Sequence, residues 1–260
     1  MKGLIAAFAM SAALVNANAS ESSKPTIVLV HGAFADTSSW NGVTKILQKD
    51  GYRVIAVAVP LRSVRGDAQY VADLVAGGDS PVVLVGHSYG GSVISAAGFG
   101  NPKVKALVFV SAFAPDLGET AVELSNKFPG STLGPTLASP VSLSNGDKDL
   151  YIQQDKFRAQ FAADVSARDA AVMAATQRPV AESTLNERSE EPAWKALPSW
   201  FVYGDRDFNI PLKSLAFMAE RANSKETVTV KGASHVVMVS HPKVVAALIE
   251  RAAASISTQP

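Results

Sequence analysis

Ser88 stands between two glycines in Gly86-His87-Ser88-Tyr89-Gly90, directly after the apolar run Pro81-Val82-Val83-Leu84-Val85 and directly before Gly91-Ser92-Val93-Ile94-Ser95-Ala96-Ala97. Strand, sharp turn and helix are expected in that order. A G-x-S-x-G in such a setting reads as a nucleophile elbow, in which glycines let strand and helix approach and the serine hydroxyl stands exposed above the sheet edge. The helix beginning after it offers unpaired backbone N–H groups and a positive dipole end, both suited to the oxyanion formed when a serine attacks a carbonyl.

A serine hydroxyl is a weak nucleophile near neutral pH, so it needs a base within hydrogen-bond reach, and that base needs a carboxylate to orient it. The chain has four histidines. His31 and His87 fall inside backbone motifs and His241 precedes Pro242, which leaves His235 in the small-residue loop Lys231-Gly232-Ala233-Ser234-His235. For the carboxylate, Asp207 in Tyr203-Gly204-Asp205-Arg206-Asp207 comes first. Asp205, placed to hold the turn through backbone N–H groups, comes second and Asp116 third. In His31-Gly32-Ala33-Phe34 the glycine allows a sharp turn that presents the Ala33 N–H beside that of Tyr89. Two such donors would form an oxyanion hole, each worth ~3 kcal/mol in the transition state. Phe34, Trp40, Tyr89 and the apolar residues between Ala114 and Leu197 are the candidates for the substrate pocket.

These groups must be carried to one place by the elements around them. The continuous apolar run Thr26-Ile27-Val28-Leu29-Val30, as expected of a strand buried on both faces, and the apolar-rich stretches 52–59, 82–85, 104–110, 200–203 and 227–230 predict six strands. Helices are expected from about Ser39 to Lys49, over Tyr70 to Val75, after the elbow, from Leu215 to Arg221 and from Pro242 to Ala254. The fold class is therefore α/β: a doubly wound, mostly parallel sheet of about six strands. In such a sheet Ser88, Asp207 and His235 all lie at the carboxyl edge. The alternation stops between 114 and 197, so the expected organisation is a core of 20–113 and 198–260 with a cap inserted at 114–197. Within the cap, 141–144 and 149–152 flank Asn145-Gly146 as a hairpin, and Lys156 to Ala175 reads as helical.

With 260 residues the chain can bury a large core. A formal net charge of +1 without a long basic run gives nucleic acid no electrostatic footprint. The absence of cysteine excludes a thiol nucleophile, disulfides and a Cys-ligated metal. No metal or organic cofactor is implied, and a small molecule is the expected partner.

With these motifs in hand, the chain from Thr26 to Ala254 resembles the α/β-hydrolase superfamily. Ser88, Asp207 and His235 occur in the superfamily's order. His31-Gly32-Ala33-Phe34, Gly86 to Gly91, Gly204 to Pro211 and Gly232 to His235 look like its compact branch of plant methylesterases, hydroxynitrile lyases and metal-free haloperoxidases. The resemblance implies a serine hydrolase working through an acyl-enzyme and supports Asp207 over Asp205. Ser88 in place of an aspartate argues against epoxide hydrolases and haloalkane dehalogenases. Lyases of this branch carry Thr where this chain has Gly32 and Lys where it has Val236, so cyanide chemistry is not expected. The expected activity is hydrolysis of small, fairly apolar carboxylic esters. The alternatives are a cofactor-free peroxidase or perhydrolase using the same triad and a non-hydrolytic ligand-binding protein.

At the amino end, Lys2, the apolar run from Leu4 to Val15 and Ala17-Asn18-Ala19 form the pattern of a secretory signal peptide over 1–19. Its apolar run is shorter than the ~20 residues that span a bilayer. The expectation is an exported protein, periplasmic or secreted, with no stable membrane anchor after cleavage. Intact mass of protein recovered from a periplasmic extract should match a chain starting at Ser20, and a species still starting at Met1 would contradict cleavage.

Overall fold

The computed structural model describes residues 24–257, so the expected signal segment lies outside the described residues. Strands β1 (Thr26–Val30), β2 (Val54–Val57), β3 (Val82–His87) and β4 (Val104–Val110) alternate with helices α1 (Asn41–Lys49), α2 (Val64–Ala76) and α3 (Tyr89–Ala97). Then follow α4 (Ala121–Asn126), the short strands β5 (Val141–Ser142) and β6 (Lys148–Leu150), α5 (Gln154–Phe161), α6 (Ala167–Thr176), β7 (Val180–Ala181) and α7 (Glu182–Leu185). The chain returns to the main sheet with β8 (Ser199–Gly204), α8 (Leu212–Arg221) and β9 (Glu226–Val230), and closes with α9 (Val237–Ser240) and α10 (Pro242–Ser257).

The main sheet has six strands in the order β2-β1-β3-β4-β8-β9, and every pairing in it is parallel. Every residue of β1, β3 and β8 is buried. Successive strand residues face opposite sides, so helices must cover both faces, which is why these strands read as unbroken apolar runs. β2 was expected over 52–59 but pairs only over its four-residue span. It is an edge strand with one neighbour, and three of its four residues are half-buried.

Because β1 lies between β2 and β3, the winding direction reverses there, opening a crevice beyond the carboxyl ends of β1 and β3. Gly32, Ala33 and Phe34 follow β1, and Ser88 follows β3. The ends of β8 and β9 deliver Asp207 and His235 to the same edge.

Between β4 and β8 the chain crosses over that edge. The expected hairpin is present, with β5 and β6 antiparallel around Gly146 at φ +87°, and β7 adds a third strand that the sequence reading missed. The single helix expected over 156–175 is two helices. The chain leaves α5 at Ala162 (φ −137°, ψ 44°) and restarts at Ser166, whose side chain caps α6 by accepting from the Asp169 N–H. Helix α2 begins at Val64, earlier than expected, because Ser63 caps it by accepting from the Gly66 N–H.

Three contacts fasten this crossing to the core. Arg62 forms an ion pair with Asp149, the Ala181 N–H donates to the Leu61 carbonyl at 3.1 Å, and Glu187 accepts from the first N–H groups of α2, Val64 at 2.6 Å and Arg65 at 3.1 Å. The Glu187 contact places a carboxylate at the positive end of a helix, where it stabilises both partners.

Candidate active site

The turn from β3 into α3 places Ser88 at φ 52° and ψ −121°, a left-handed backbone that costs a non-glycine residue ~1–3 kcal/mol. The surroundings hold it there. A Cβ on Gly86 would meet the Gly90 carbonyl oxygen at 2.5 Å, and one on Gly90 would meet the Val30 carbonyl oxygen at 2.5 Å, so only glycines let β3, α3 and β1 approach this closely. The Ser88 backbone is pinned on both sides: its N–H donates to the Val110 carbonyl at 3.2 Å, and its own carbonyl accepts from the Phe113 N–H at 3.1 Å.

His235 follows β9 and is 1% exposed. Its Nδ1 lies 2.7 Å from Asp207 Oδ2. The carboxylate can only accept, so Nδ1 carries the proton and Nε2 is left as a base. The other oxygen, Asp207 Oδ1, accepts from the backbone N–H groups of Asn209 at 2.8 Å and Ile210 at 3.0 Å. With both oxygens engaged, the carboxylate is fixed in place though buried, as a buried charge requires. Phe161, at the end of α5, presents its ring edge to the His235 imidazole with centroids 5.0 Å apart.

Beside this pair lies His87, wholly buried, with its Nε2 3.2 Å from the His235 carbonyl oxygen, to which it donates. Burial, reinforced by the neighbouring His235, holds the His87 imidazole well below its ordinary value. Burial likewise lowers His31, with the Arg178 charge acting in the same direction. Tyr89 directs its hydroxyl away from the reacting edge and donates to Asp67 Oδ2 at 2.9 Å, which also accepts from the Leu61 N–H at 3.0 Å. Burial raises the Asp67 carboxyl despite these donors and raises the Tyr89 hydroxyl as well.

Ser88, His235, Ala33 and Tyr89 line one cavity of about 290 Å³. Among the described residues the Ala33 and Tyr89 N–H groups have no hydrogen-bond partner. Both therefore remain available to an oxyanion. The Ser88 hydroxyl makes no hydrogen bond to His235 in this arrangement; such contacts are often loose in a free enzyme and tighten around substrate. Phe34, Phe113, Leu133, Leu137 and Phe161 supply apolar walls.

The other sequence candidates separate cleanly. Asp205 accepts from the Gly232 N–H at 2.6 Å and so holds the loop that carries His235. Asp116 is paired with Lys195 at 2.5 Å, outside the cavity lining. Trp40, expected in the pocket, lies in the core instead: it is fully buried, is absent from the cavity lining, and stands edge-on to His87 with centroids 6.5 Å apart. Its place just before α1 turns it into the core beneath the site. Phe161 is one of the apolar residues of 114–197 expected in the pocket and does line the cavity, but its helical setting gave no sign that it would also reach His235.

The sequence pattern of the alpha/beta hydrolase family matches residues 27–248, and the chain belongs to that family. It is similar to the alpha-hydroxynitrile lyase of Arabidopsis thaliana, 26% identical over 85% of this chain and 93% of the relative. It is also similar to methylesterase 3 of Arabidopsis thaliana, 26% identical over 88% of this chain and 96% of the relative. In the crystal structure of polyneuridine aldehyde esterase the fold recurs with a TM-score of 0.76, at 19% identity, covering 88% of this chain and 99% of that one.

The two lowered histidines give stability a defined pH dependence. Both would protonate near 6.5 in the unfolded chain and resist protonation when folded. Their contribution is therefore complete above that value and is lost as pH falls through it. From pH 7.5 to 5.5 the unfolding free energy in urea should fall, with His87, the more strongly lowered of the two, carrying the larger part of the drop. His87→Gln should make that pH slope shallower, and an unchanged slope in that variant would contradict the assignment.

Proposed function

We propose that this protein hydrolyses carboxylic esters of small, fairly apolar substrates through an acyl-enzyme on Ser88. The observation that carries the reading is the buried His235–Asp207 contact at 2.7 Å, opening onto the same cavity as Ser88 and the two free N–H donors. Ser88 Oγ attacks the ester carbonyl carbon while His235 Nε2 takes its proton. The carbonyl oxygen becomes an oxyanion facing the Ala33 and Tyr89 N–H groups. Collapse of the tetrahedral adduct breaks the bond to the alcohol oxygen, which receives the proton back from His235. Water then attacks the acyl-serine with His235 again as base, releasing the carboxylic acid and restoring Ser88. Asp207 holds the imidazole in the Nδ1–H form and stabilises its cation without taking the proton.

Similarity to methylesterase 3 supports ester chemistry. Similarity to the alpha-hydroxynitrile lyase leaves a carbon–carbon lyase to be weighed. Two positions favour hydrolysis. A Cβ at Gly32, the position expected to carry Thr in such lyases, would sit 2.7 Å from Ser88 Cβ and 2.9 Å from His87 Nδ1, so a threonine does not fit this packing. Val236, at the position expected to carry Lys, is fully buried and brings no cation to the site. We further propose that the mature enzyme acts outside the cytoplasm, on the strength of the 1–19 leader pattern.

With p-nitrophenyl esters of rising acyl length, short esters should turn over. Asp207→Asn should lower kcat by roughly 10⁴-fold and Ser88→Ala by roughly 10⁶-fold, whereas Asp205→Asn, which loosens a turn, should keep kcat within about threefold while lowering Tm. Equal rates in wild type and Ser88→Ala would refute the reading.

A further inference from the structure

Phe34 touches two separate spaces. On one side it lines the cavity of Ser88 and His235. On the other it lines a groove of about 380 Å³ formed by the turn after β1 and by α6, with Asp36, Asn41, Asp169, Val172 and Met173 among its walls. That groove reaches solvent, since Asn41, Asp169 and Val172 are exposed. Phe34 as a whole is 4% exposed, and its ring meets Phe161 edge-on, with centroids 6.3 Å apart and planes at 89°. Phe161 in turn rests on His235.

The backbone adds a second observation. Phe34 has φ +58°, a left-handed conformation that is uncommon for an aromatic residue, and its N–H is tied to the Arg178 carbonyl at 3.1 Å. Glycine would adopt that conformation without strain. A phenylalanine held there places a large ring at the boundary of the two spaces, in the residue next to the Ala33 N–H.

We propose that Phe34 is a partition: its ring closes the catalytic cavity toward the α6 groove and sets the longest straight chain the site accepts on one side of the scissile bond. This rests on the ester-hydrolase reading for its substrates, though not for its geometry. Without the ring the cavity and the groove are continuous, and a chain end passes between them to solvent. Each buried methylene adds ~0.8 kcal/mol to binding, so two or three further carbons admitted to apolar surroundings change specificity by about tenfold or more.

The test measures kcat/KM for p-nitrophenyl alkanoates, which lengthen the acyl side, and for alkyl acetates, which lengthen the alcohol side. In Phe34→Gly, which also relieves the backbone, the long-to-short ratio should rise about tenfold in one series, and that series identifies the side. In Phe34→Trp the same ratio should fall. Met173→Trp, a plug in the groove, should leave the wild-type profile unchanged and restore the short limit when combined with Phe34→Gly. Binding of 1-alkanols of rising length to the Ser88→Ala protein, with and without Phe34→Gly, repeats the comparison in the absence of turnover. If wild type cleaves no ester, the hydrolase reading fails and the alkanol series alone decides the partition. Parallel loss across all chain lengths in both Phe34 variants, or no length-dependent change in alkanol binding, would overturn it.

Discussion

The left-handed backbone of Ser88 is the constraint on which the rest of the site depends. A serine does not choose φ 52° by itself. It is kept there because β3, α3 and β1 converge so closely that Gly86 and Gly90 have no room for a Cβ, and because hydrogen bonds from both sides fix the peptide units around it. The strain has a use. It lifts the hydroxyl clear of the sheet edge and leaves the N–H of Tyr89, the first residue of α3, facing the same space. The parallel sheet supplies the rigidity that makes this possible, since its central strands are locked by neighbours on both sides and covered on both faces.

A second constraint is electrostatic. Asp207 and His235 are both removed from water, and a buried carboxylate is tolerated only when its oxygens are satisfied. Here one oxygen faces His235 Nδ1 and the other takes two backbone N–H groups from the loop it belongs to. The aromatic edge of Phe161 and the neutral His87 complete the enclosure around the imidazole. That loop conformation therefore fixes the carboxylate, the carboxylate fixes the tautomer, and the tautomer leaves Nε2 as the base. The segment between β4 and β8 contributes the roof of this enclosure, and its anchorage through Glu187 and Arg62 ties the cavity walls to the same helix and turn that support Tyr89 through Asp67.

Much of this was legible in the sequence because each candidate group of the site sits in a short motif at a strand end. Strands buried on both faces leave apolar runs, unbroken in β1 and interrupted in β4 only by the exposed Lys105, so β1, β3, β4 and β8 could be located from the sequence, and their parallel arrangement puts Ser88, Asp207 and His235 on one edge. Asp205 and Asp207 could be told apart because one is next to the turn glycine and the other is a turn residue further on. What sequence pattern could not reach was set by tertiary contact. The break at Ala162 to Ser166 is a capped restart inside an otherwise helical composition, and β7 has two residues, too few to show a period. Trp40 turned into the core against expectation, and Phe161, expected only to line the pocket, reached the imidazole of His235 as well. Aromatic character is the same whether a ring faces the core or a cavity, and only the packing of α1 and α5 against the sheet decides which.

The most direct test of the central claim is rapid-quench intact-mass analysis during turnover of a short-chain p-nitrophenyl ester. The account predicts a transient species heavier by one acyl group, mapped to Ser88 and absent from Ser88→Ala, forming no more slowly than the first equivalent of p-nitrophenol. Steady release of p-nitrophenol with no acyl group ever found on Ser88, or an acyl group mapped to another residue, would contradict it.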